Sequence, residues 1–307
     1  MPNYAAAILC GKSGGRPQPS PASLGVARFC VVALICMLPG VSAFGEEHPD
    51  KSGYHLFRPT PDALLREMAT DRPDKTESAY TVDAGHYQIE MDLLSFTYDR
   101  SDAETLEAWA IAPINMKIGV LNNVDLQLIA ESYNIQRTTD RSTSSSTRLS
   151  GFGDLLLRCK TNVWGNDGGP TALSVMPFVK FPTNQNGLGN RAVEGGVIFP
   201  FAMDLPADWG FGAQAEVDYI QDSNSSDYHA EFLNTVTVSH DIAGKLAGYV
   251  ELFSNVSTES GAKWVATFDF GFTYAVTRDI QLDAGLNIGL TDAADDLNPF
   301  IGLSMRY

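Results

Sequence analysis

From residue 85 to the end of the chain, hydrophobic and polar residues alternate with a period of two, the pattern of β-strands with one apolar face. The segment 280–290 shows it most clearly, with isoleucine, leucine and alanine at even numbers and polar residues or glycine at odd ones. The segment 264–274 alternates similarly and carries aromatic residues near both ends. Strands of roughly eleven residues with apolar faces and aromatic ends are typical of transmembrane β-barrels.

The same alternation predicts an all-β, antiparallel up-and-down barrel of about twelve strands. In the strand over 106–118, the lipid-facing side is assigned to Leu106, Ala108, Ala110, Ala112, Ile114, Met116 and Ile118. The last strand places Ile301, Leu303, Met305 and Tyr307 on one face. This apolar face with its aromatic end is expected to serve as the membrane-insertion signal read by the barrel-assembly machinery.

The main structural alternative is a secreted β-sandwich or jelly roll, which also alternates but uses strands of about five or six residues. The longer strands here favour the barrel. Short connections near 119–123, 164–170, 203–208, 241–244 and 276–279 suit periplasmic turns. The polar connection 134–150 is expected to be a long external loop.

The first 43 residues predict a secretory signal peptide. They combine Lys12, Arg16 and Arg28 with an apolar run over 29–38 and small residues at 41–43. A transmembrane anchor is the alternative, but about ten residues are too short to span a bilayer. The barrel is assigned to 85–307 and an N-terminal periplasmic or plug segment to 44–84. Only Cys159 remains after cleavage, so the mature chain has no partner cysteine for a disulfide.

The processed chain is strongly acidic, with 18 Lys and Arg (21 minus 3) against 37 Asp and Glu. That charge argues against nucleic acid as a partner, because phosphate binding requires a basic surface. A bacterial outer membrane is the expected location, with its lipid as a partner. No cofactor or metal is predicted, since the five histidines show no metal-binding spacing on one strand face. No enzyme activity is predicted, and the oligomeric state is left open.

The faces opposite the apolar ones are expected to line the lumen. The lumen-lining candidates are Glu90, Asp92, Asp125, Glu131, Arg158, Lys160, Phe178, Lys180, Glu216, Asp218, Tyr249, Glu251, Asp269 and Asp283. Lys117 is a further basic counterweight, and Ile129, Tyr133, Leu156, Met176, Ile220, Leu233 and Phe253 are assigned inward among them. These charges either pair and stiffen the wall or select cations in a pore.

The inward apolar residues also leave two interpretations. They line a path for apolar or aromatic solutes, or the N-terminal segment packs on them as a plug. In the second case residues 60–80 enter the lumen from the periplasm, with Arg72, Asp74 and Lys75 as the plug candidates that pair with the wall.

The stretch 70–78, TDRPDKTES, followed by TVDAG at 81–85, resembles an outer-membrane transporter family labelled MetA-pathway of phenol degradation. Gly151-Phe152-Gly153-Asp154 and the stretch 177–183, PFVKFPT, resemble later markers of that family. The resemblance covers about residues 64–307 and implies a barrel that transports small molecules without identifying the cargo. It does not imply a phenol-degrading enzyme.

Together these features predict an outer-membrane channel for passive uptake of small solutes, with aromatic or hydrophobic compounds among the candidates. The alternative is a structural or surface-interaction barrel with a closed lumen, in which the 134–150 region carries the function.

Overall fold

The computed structural model describes residues 50–307, so the predicted signal peptide lies outside the described residues. These residues form one 3₁₀ turn, Asp62–Leu64, and fifteen β-segments. The segments are β1 Tyr87–Arg100, β2 Glu104–Ile111, β3 Ile114–Leu121, β4 Val124–Ala130, β5 Tyr133–Asp140, β6 Ser146–Gly151, β7 Leu155–Trp164, β8 Thr171–Phe181, β9 Glu194–Leu205, β10 Trp209–Gln221, β11 Tyr228–Ala243, β12 Leu246–Ser257, β13 Val265–Thr277, β14 Ile280–Gly289 and β15 Leu297–Arg306. No helix among residues 50–307 has the length and apolarity needed to cross a bilayer.

The sheet closes on itself because β15 pairs with β14 on one side and with β1 on the other. The closing ladder runs from Gln88 opposite Arg306 to Tyr98 opposite Leu297. Each of the second, third and fourth barrel strands is interrupted by a kink and therefore consists of two segments. These pairs of segments are β2 with β3, β4 with β5, and β6 with β7, so the fifteen segments form twelve barrel strands. The prediction of a twelve-stranded antiparallel barrel is confirmed.

Burial is inverted relative to a soluble protein. In β7 the charged side chains Arg158 and Lys160 are buried, while Leu157 is 49% exposed. Glu90 and Asp269 are likewise inaccessible, while Phe272 is 50% exposed. A continuous apolar exterior around a closed sheet requires lipid, because it would be unstable in water. Ile301, Leu303, Met305 and Tyr307 lie on this exterior, and their neighbours Phe300, Ser304 and Arg306 face inward.

The kink at Ala112-Pro113 changes which residues face lipid. Ala112 has a positive φ of 51°, and Pro113 has no N–H to donate to a ladder. Ile114 and Ile111 both face outward across this kink, opposite Met91 and Leu94 of β1. The assignment of Leu106, Ala108, Ala110 and Ala112 to the lipid face was therefore wrong, and Glu107 and Trp109 face outward instead. A second break in the alternation lies between β4 and β5, at 130–133. Because of it, Tyr133 is 40% exposed on the outer face, so its assignment to the lumen was wrong.

The two ends of the barrel differ in their connections. Short turns lie at 122–123, 165–170, 206–208, 244–245 and 278–279, at the end that holds Tyr87 and Tyr307. By the rule for outer-membrane barrels this is the periplasmic end. At the other end, the predicted loop over 134–150 is mostly strand, since β5 and β6 extend outward and leave only 141–145 as a turn. The wall is therefore taller on this side.

Candidate functional site: the occupied lumen

Part of the chain shortly before β1 lies inside the barrel. The segment turns at the periplasmic mouth, where the Thr60 N–H donates to Ala84 O at 2.9 Å and His86 Nε2 lies 2.7 Å from Thr60 O. Between these points the chain enters the lumen, and residues 67–84 contact inward side chains of strands all around the barrel. We call residues 67–84 the plug segment. Eight of the predicted lumen-lining residues contact this segment: Glu90, Asp92, Asp125, Arg158, Lys160, Glu251, Asp269 and Asp283.

Arg72 straddles three neighbouring strands. Asp92 of β1, Gly302 of β15 and Asp283 of β14 lie in one row across the wall. The Arg72 guanidinium donates a hydrogen bond to Asp92 at 2.5 Å. Two of its nitrogens donate to the two carboxylate oxygens of Asp283, at 2.6 and 3.3 Å. Gly302 is required beneath it, because a Cβ there would lie 2.0 Å from Arg72 Nη2. Such bidentate contacts hold Arg72 in one orientation.

The acidic side chains of the plug segment bind basic side chains of β3 and β7. Asp71 pairs with Lys160 at 2.6 Å and with Lys117. Glu77 pairs with Arg158 at 2.7 Å, and both side chains are fully buried. Charges of both signs on the plug segment are therefore neutralised by the wall. That compensation is needed, because an unpaired buried ion is strongly destabilising.

The middle of the plug segment is held by β11, β12 and β13. Lys75 Nζ lies 3.0 Å from Asp269 and 2.7 Å from Thr267 Oγ1, over the Phe253 ring. Glu251 accepts hydrogen bonds from the N–H groups of Lys75 and Thr76, both at 2.8 Å. The remaining plug candidate, Asp74, hydrogen-bonds the Thr237 side chain. Backbone and side-chain contacts thus fix this part of the segment together.

The wall next to the plug segment also has an apolar area. Ile129, Leu156, Met176, Phe178 and Ile198 form a buried cluster on β4, β7, β8 and β9. Leu233 and Tyr249 are buried on neighbouring inward faces. The cluster lies on the lumen side, so it is not part of the lipid-facing surface.

The predicted lumen residues Glu131 and Lys180 lie toward the outer end of the barrel. Lys180 lies 3.3 Å from Glu131 and 3.7 Å from Asp154. Asp154 also accepts hydrogen bonds from Asn184 and from the Asn190 N–H, both in the connection between β8 and β9. That connection folds inward over the lumen, which its polar composition alone did not reveal.

At the periplasmic mouth, Lys51 and Arg66 bind Asp83 and Asp167, a group that we call the periplasmic latch. Arg66 Nη1 lies 2.8 Å and Lys51 Nζ 3.1 Å from Asp167, which lies in the turn between β7 and β8. The Arg66 N–H donates to Asp83 at 3.0 Å. Sequence reasoning missed these residues, as it missed Asp71 and Glu77. The available signal was that charged residues beside an acidic lumen must find partners of opposite sign.

We expect the periplasmic latch to loosen in acid. Burial alone would raise the pKa of Asp167, but hydrogen bonds from Asn122 and the nearby Arg66 and Lys51 lower it below its ordinary 3.8. A carboxylate with a lowered pKa stabilises the folded contact above its ordinary pKa and loses that effect as pH falls through the lowered value. The protection of residues 50–66 against hydrogen exchange, relative to the intrinsic rate at each pH, should therefore fall only below about pH 4.

Asp167→Asn should remove this pH dependence and give rapid exchange already at pH 6. The matched control is Asp140→Asn at the opposite rim. There, hydrogen bonds chiefly from Ser142 lower the pKa of Asp140 to about 2. An unchanged exchange profile in Asp167→Asn would show that the carboxylate does not hold the segment.

The histidines that the sequence analysis considered lie apart from one another within residues 50–307. His229 Nδ1 lies 2.8 Å from Asp222, while the His240 ring packs against Trp209 on the outer face with centroids 4.5 Å apart. No group of three or more His, Cys, Asp or Glu side chains in this described range has a metal-binding arrangement. The clustered polar side chains instead join the plug segment to the wall.

Comparisons with solved structures agree with this fold. The COG4313 outer membrane channel from Pseudomonas putida F1 is 12% identical, covers 77% of this chain and 99% of that chain, and gives a TM-score of 0.55. The NanC porin is 12% identical over 71% of this chain and 98% of that chain, with a TM-score of 0.46. At 12% identity, the likeness to the COG4313 channel shows the barrel fold alone. No curated protein sequence matches the chain.

The family described as "Putative MetA-pathway of phenol degradation" matches residues 70–307. The match begins within the plug segment and extends through β15, so it includes the lumen contacts as well as the wall. Because it covers most of the chain, this protein, a bacterial outer-membrane β-barrel, belongs to that family.

Proposed function

We propose that the protein is a passive channel for small solutes, and that movement of the plug segment controls its pore. The observation that carries this proposal is the polar, charged character of the contact between the plug segment and the wall. Arg72, Lys75 and Glu77 all bind ionised or polar wall groups rather than an apolar surface.

A permanently sealed barrel would not require such a contact. Replacing a buried ion network with well-packed apolar side chains is often neutral or stabilising. A charged wall, however, can be hydrated by water whenever the plug segment leaves. The wall residues Asp92 and Arg158 then exchange their partners on the plug segment, Arg72 and Glu77, for water molecules. This reversibility favours a gate over a structural filling.

The charge of the wall favours cations. Among the inward wall residues acidic side chains outnumber basic ones, as at Glu216, Asp218 and Glu251. The apolar cluster around Met176 and Phe178 adds a surface on which aromatic groups can rest. We therefore assign small aromatic or hydrophobic solutes as the compounds that pass through the pore. Among them, cations should pass more readily than anions.

Reversal potentials across planar bilayers test this proposal, using permanently charged probes that do not cross lipid. Benzyltrimethylammonium is expected to be more permeant than benzenesulfonate, and Asp218→Asn should reduce the difference. Asp208→Asn, which removes an exposed carboxylate at a periplasmic turn, is the matched control and should not change it. Absence of current from folded protein, even after the plug segment is removed, would favour the structural barrel instead.

A further inference from the structure

A concave patch lies on the taller side of the barrel, near its outer rim. It has a volume of about 490 Å³ and is lined by Leu94, Trp109, Ile111, Ile135, Arg137 and Arg148 from β1, β2, β5 and β6. We call it the outer-face pocket. Neither the proposed pore nor the plug segment uses these residues.

The outer-face pocket opens to the surroundings and not to the lumen. Ser95 faces inward, since its Oγ accepts a hydrogen bond from Asn298 Nδ2 at 3.0 Å and it pairs with buried Phe300. Its neighbours Leu94 and Phe96 therefore face outward. Trp109 lies opposite Phe96 with ring centroids 4.3 Å apart, on the same outer face. The kink at Ala112-Pro113 is what brings Trp109 and Glu107 to this side.

Two arginines meet on that face. Arg137 of β5 and Arg148 of β6 are directly opposite each other in the ladder. Like charges in directly opposed positions destabilise a strand pair. Glu107 lies 3.6 Å from Arg137, and both side chains are largely exposed, so it offsets one of the two charges only weakly. On a chain with a net charge of −16, such a pair is suited to an anion.

The position of the two arginines along the barrel axis indicates which kind of anion they bind. Below them Trp109 and Ile135 pair across β2 and β5, followed by Ile111 and Leu94 at the top of the lipid-facing band. Tryptophan at the end of an apolar band marks the boundary between hydrocarbon and headgroups. The arginines therefore lie at headgroup level and the apolar strip at acyl-chain level. A free phosphate would use only the arginines, whereas an amphiphile uses both.

We propose that the outer-face pocket binds a phosphorylated glycolipid of the outer leaflet, of the lipid A type. A phosphate lies between Arg137 and Arg148, whose guanidinium groups match phosphate oxygens with paired hydrogen bonds. An acyl chain runs along Trp109, Ile111 and Ile135. The bound phosphate removes the repulsion between the opposed arginines and fixes the lipid on one side of the barrel.

Native mass spectrometry of the purified full chain tests the proposal with diphosphoryl lipid A, dephosphorylated lipid A and inorganic phosphate. Diphosphoryl lipid A is expected to bind, and Arg137→Gln/Arg148→Gln should weaken it roughly tenfold or more. Arg278→Gln is the matched control, because it removes an exposed arginine at the periplasmic end and should leave the affinity unchanged. Heat-modifiable migration in gels verifies that each variant is folded.

Three results would overturn the proposal. Equal affinity of the double variant would place the lipid elsewhere. Equal binding of dephosphorylated lipid A would reduce the site to an apolar surface. Displacement of the lipid by millimolar inorganic phosphate would indicate a site for the free anion.

Discussion

Deleting residues 44–80 is expected to raise the single-channel conductance severalfold. The deletion removes Arg72, Lys75 and Glu77, whose side chains fill the lumen and neutralise its wall. Water and ions then take their places, because Asp92, Asp283 and Arg158 lose their protein partners and must be hydrated. The barrel itself should still close, since its closing ladder between β1 and β15 lies outside the deleted range.

The matched control deletes only residues 44–58. The described part of this stretch lies at the periplasmic mouth, where His55 pairs with Leu121 at the end of β3. It includes Lys51 of the latch but no residue of the plug segment, so the large conductance step should not appear. If the longer deletion conducts no better than the unmodified protein, while migrating as a folded barrel, the plug segment is not the obstruction.

Arg72→Ala is expected to unseat the plug segment. Removing one partner of a buried ion pair costs about 3–5 kcal/mol, and here Asp92 and Asp283 both lose theirs. Because about 1.4 kcal/mol corresponds to a tenfold change in an equilibrium, the open fraction should rise by roughly two to three orders of magnitude, less where water reaches the carboxylates. Single-channel recordings measure this fraction directly.

Gly302→Ala provides an independent route to the same result while keeping Arg72. A methyl group at Gly302 would occupy the place of the guanidinium, so Arg72 must leave its bidentate position. Neutralising the wall with Asp92→Asn/Asp283→Asn in the Arg72→Ala background should restore part of the closed state. Arg278→Ala, which removes an exposed pair, serves as the control. Recordings of Arg72→Ala that match those of the control would exclude Arg72 as the clamp.

The alternating pattern predicted the faces of the regular strands correctly. In β7, β13, β14 and β15 the two faces alternate over most of each strand, with register shifts only near the ends of β7 and β13. Placing Arg158 or Lys160 in lipid would cost roughly 2–4 kcal/mol each. Only one register is then possible. The acidic lumen wall follows from the same reasoning, since residues such as Asp269 and Asp283 occupy the faces opposite the apolar ones.

The alternating pattern did not predict the breaks at Ala112-Pro113 and 130–133, or the extension of β5 and β6 at the outer end of the barrel. At Ala112-Pro113 and at 130–133 the regular alternation is broken, so residues on the two sides of the break need opposite face assignments within the same strand. Alternation by itself does not show where such a break occurs. The strands β5 and β6 were predicted as a loop because most of their length lies beyond the hydrocarbon layer. There neither face must be apolar, so their sequence lacks the signal.

The sequence by itself determined a closed barrel with an apolar exterior and a charged interior, because lipid tolerates no other arrangement of these strands. The tertiary structure alone decided which charges meet. Arg72 reaches Asp283, and Lys75 reaches Asp269, across some two hundred residues of chain. Such pairings depend on barrel closure and on the path of the plug segment. Neither can be predicted from the alternation of hydrophobic and polar residues along one strand.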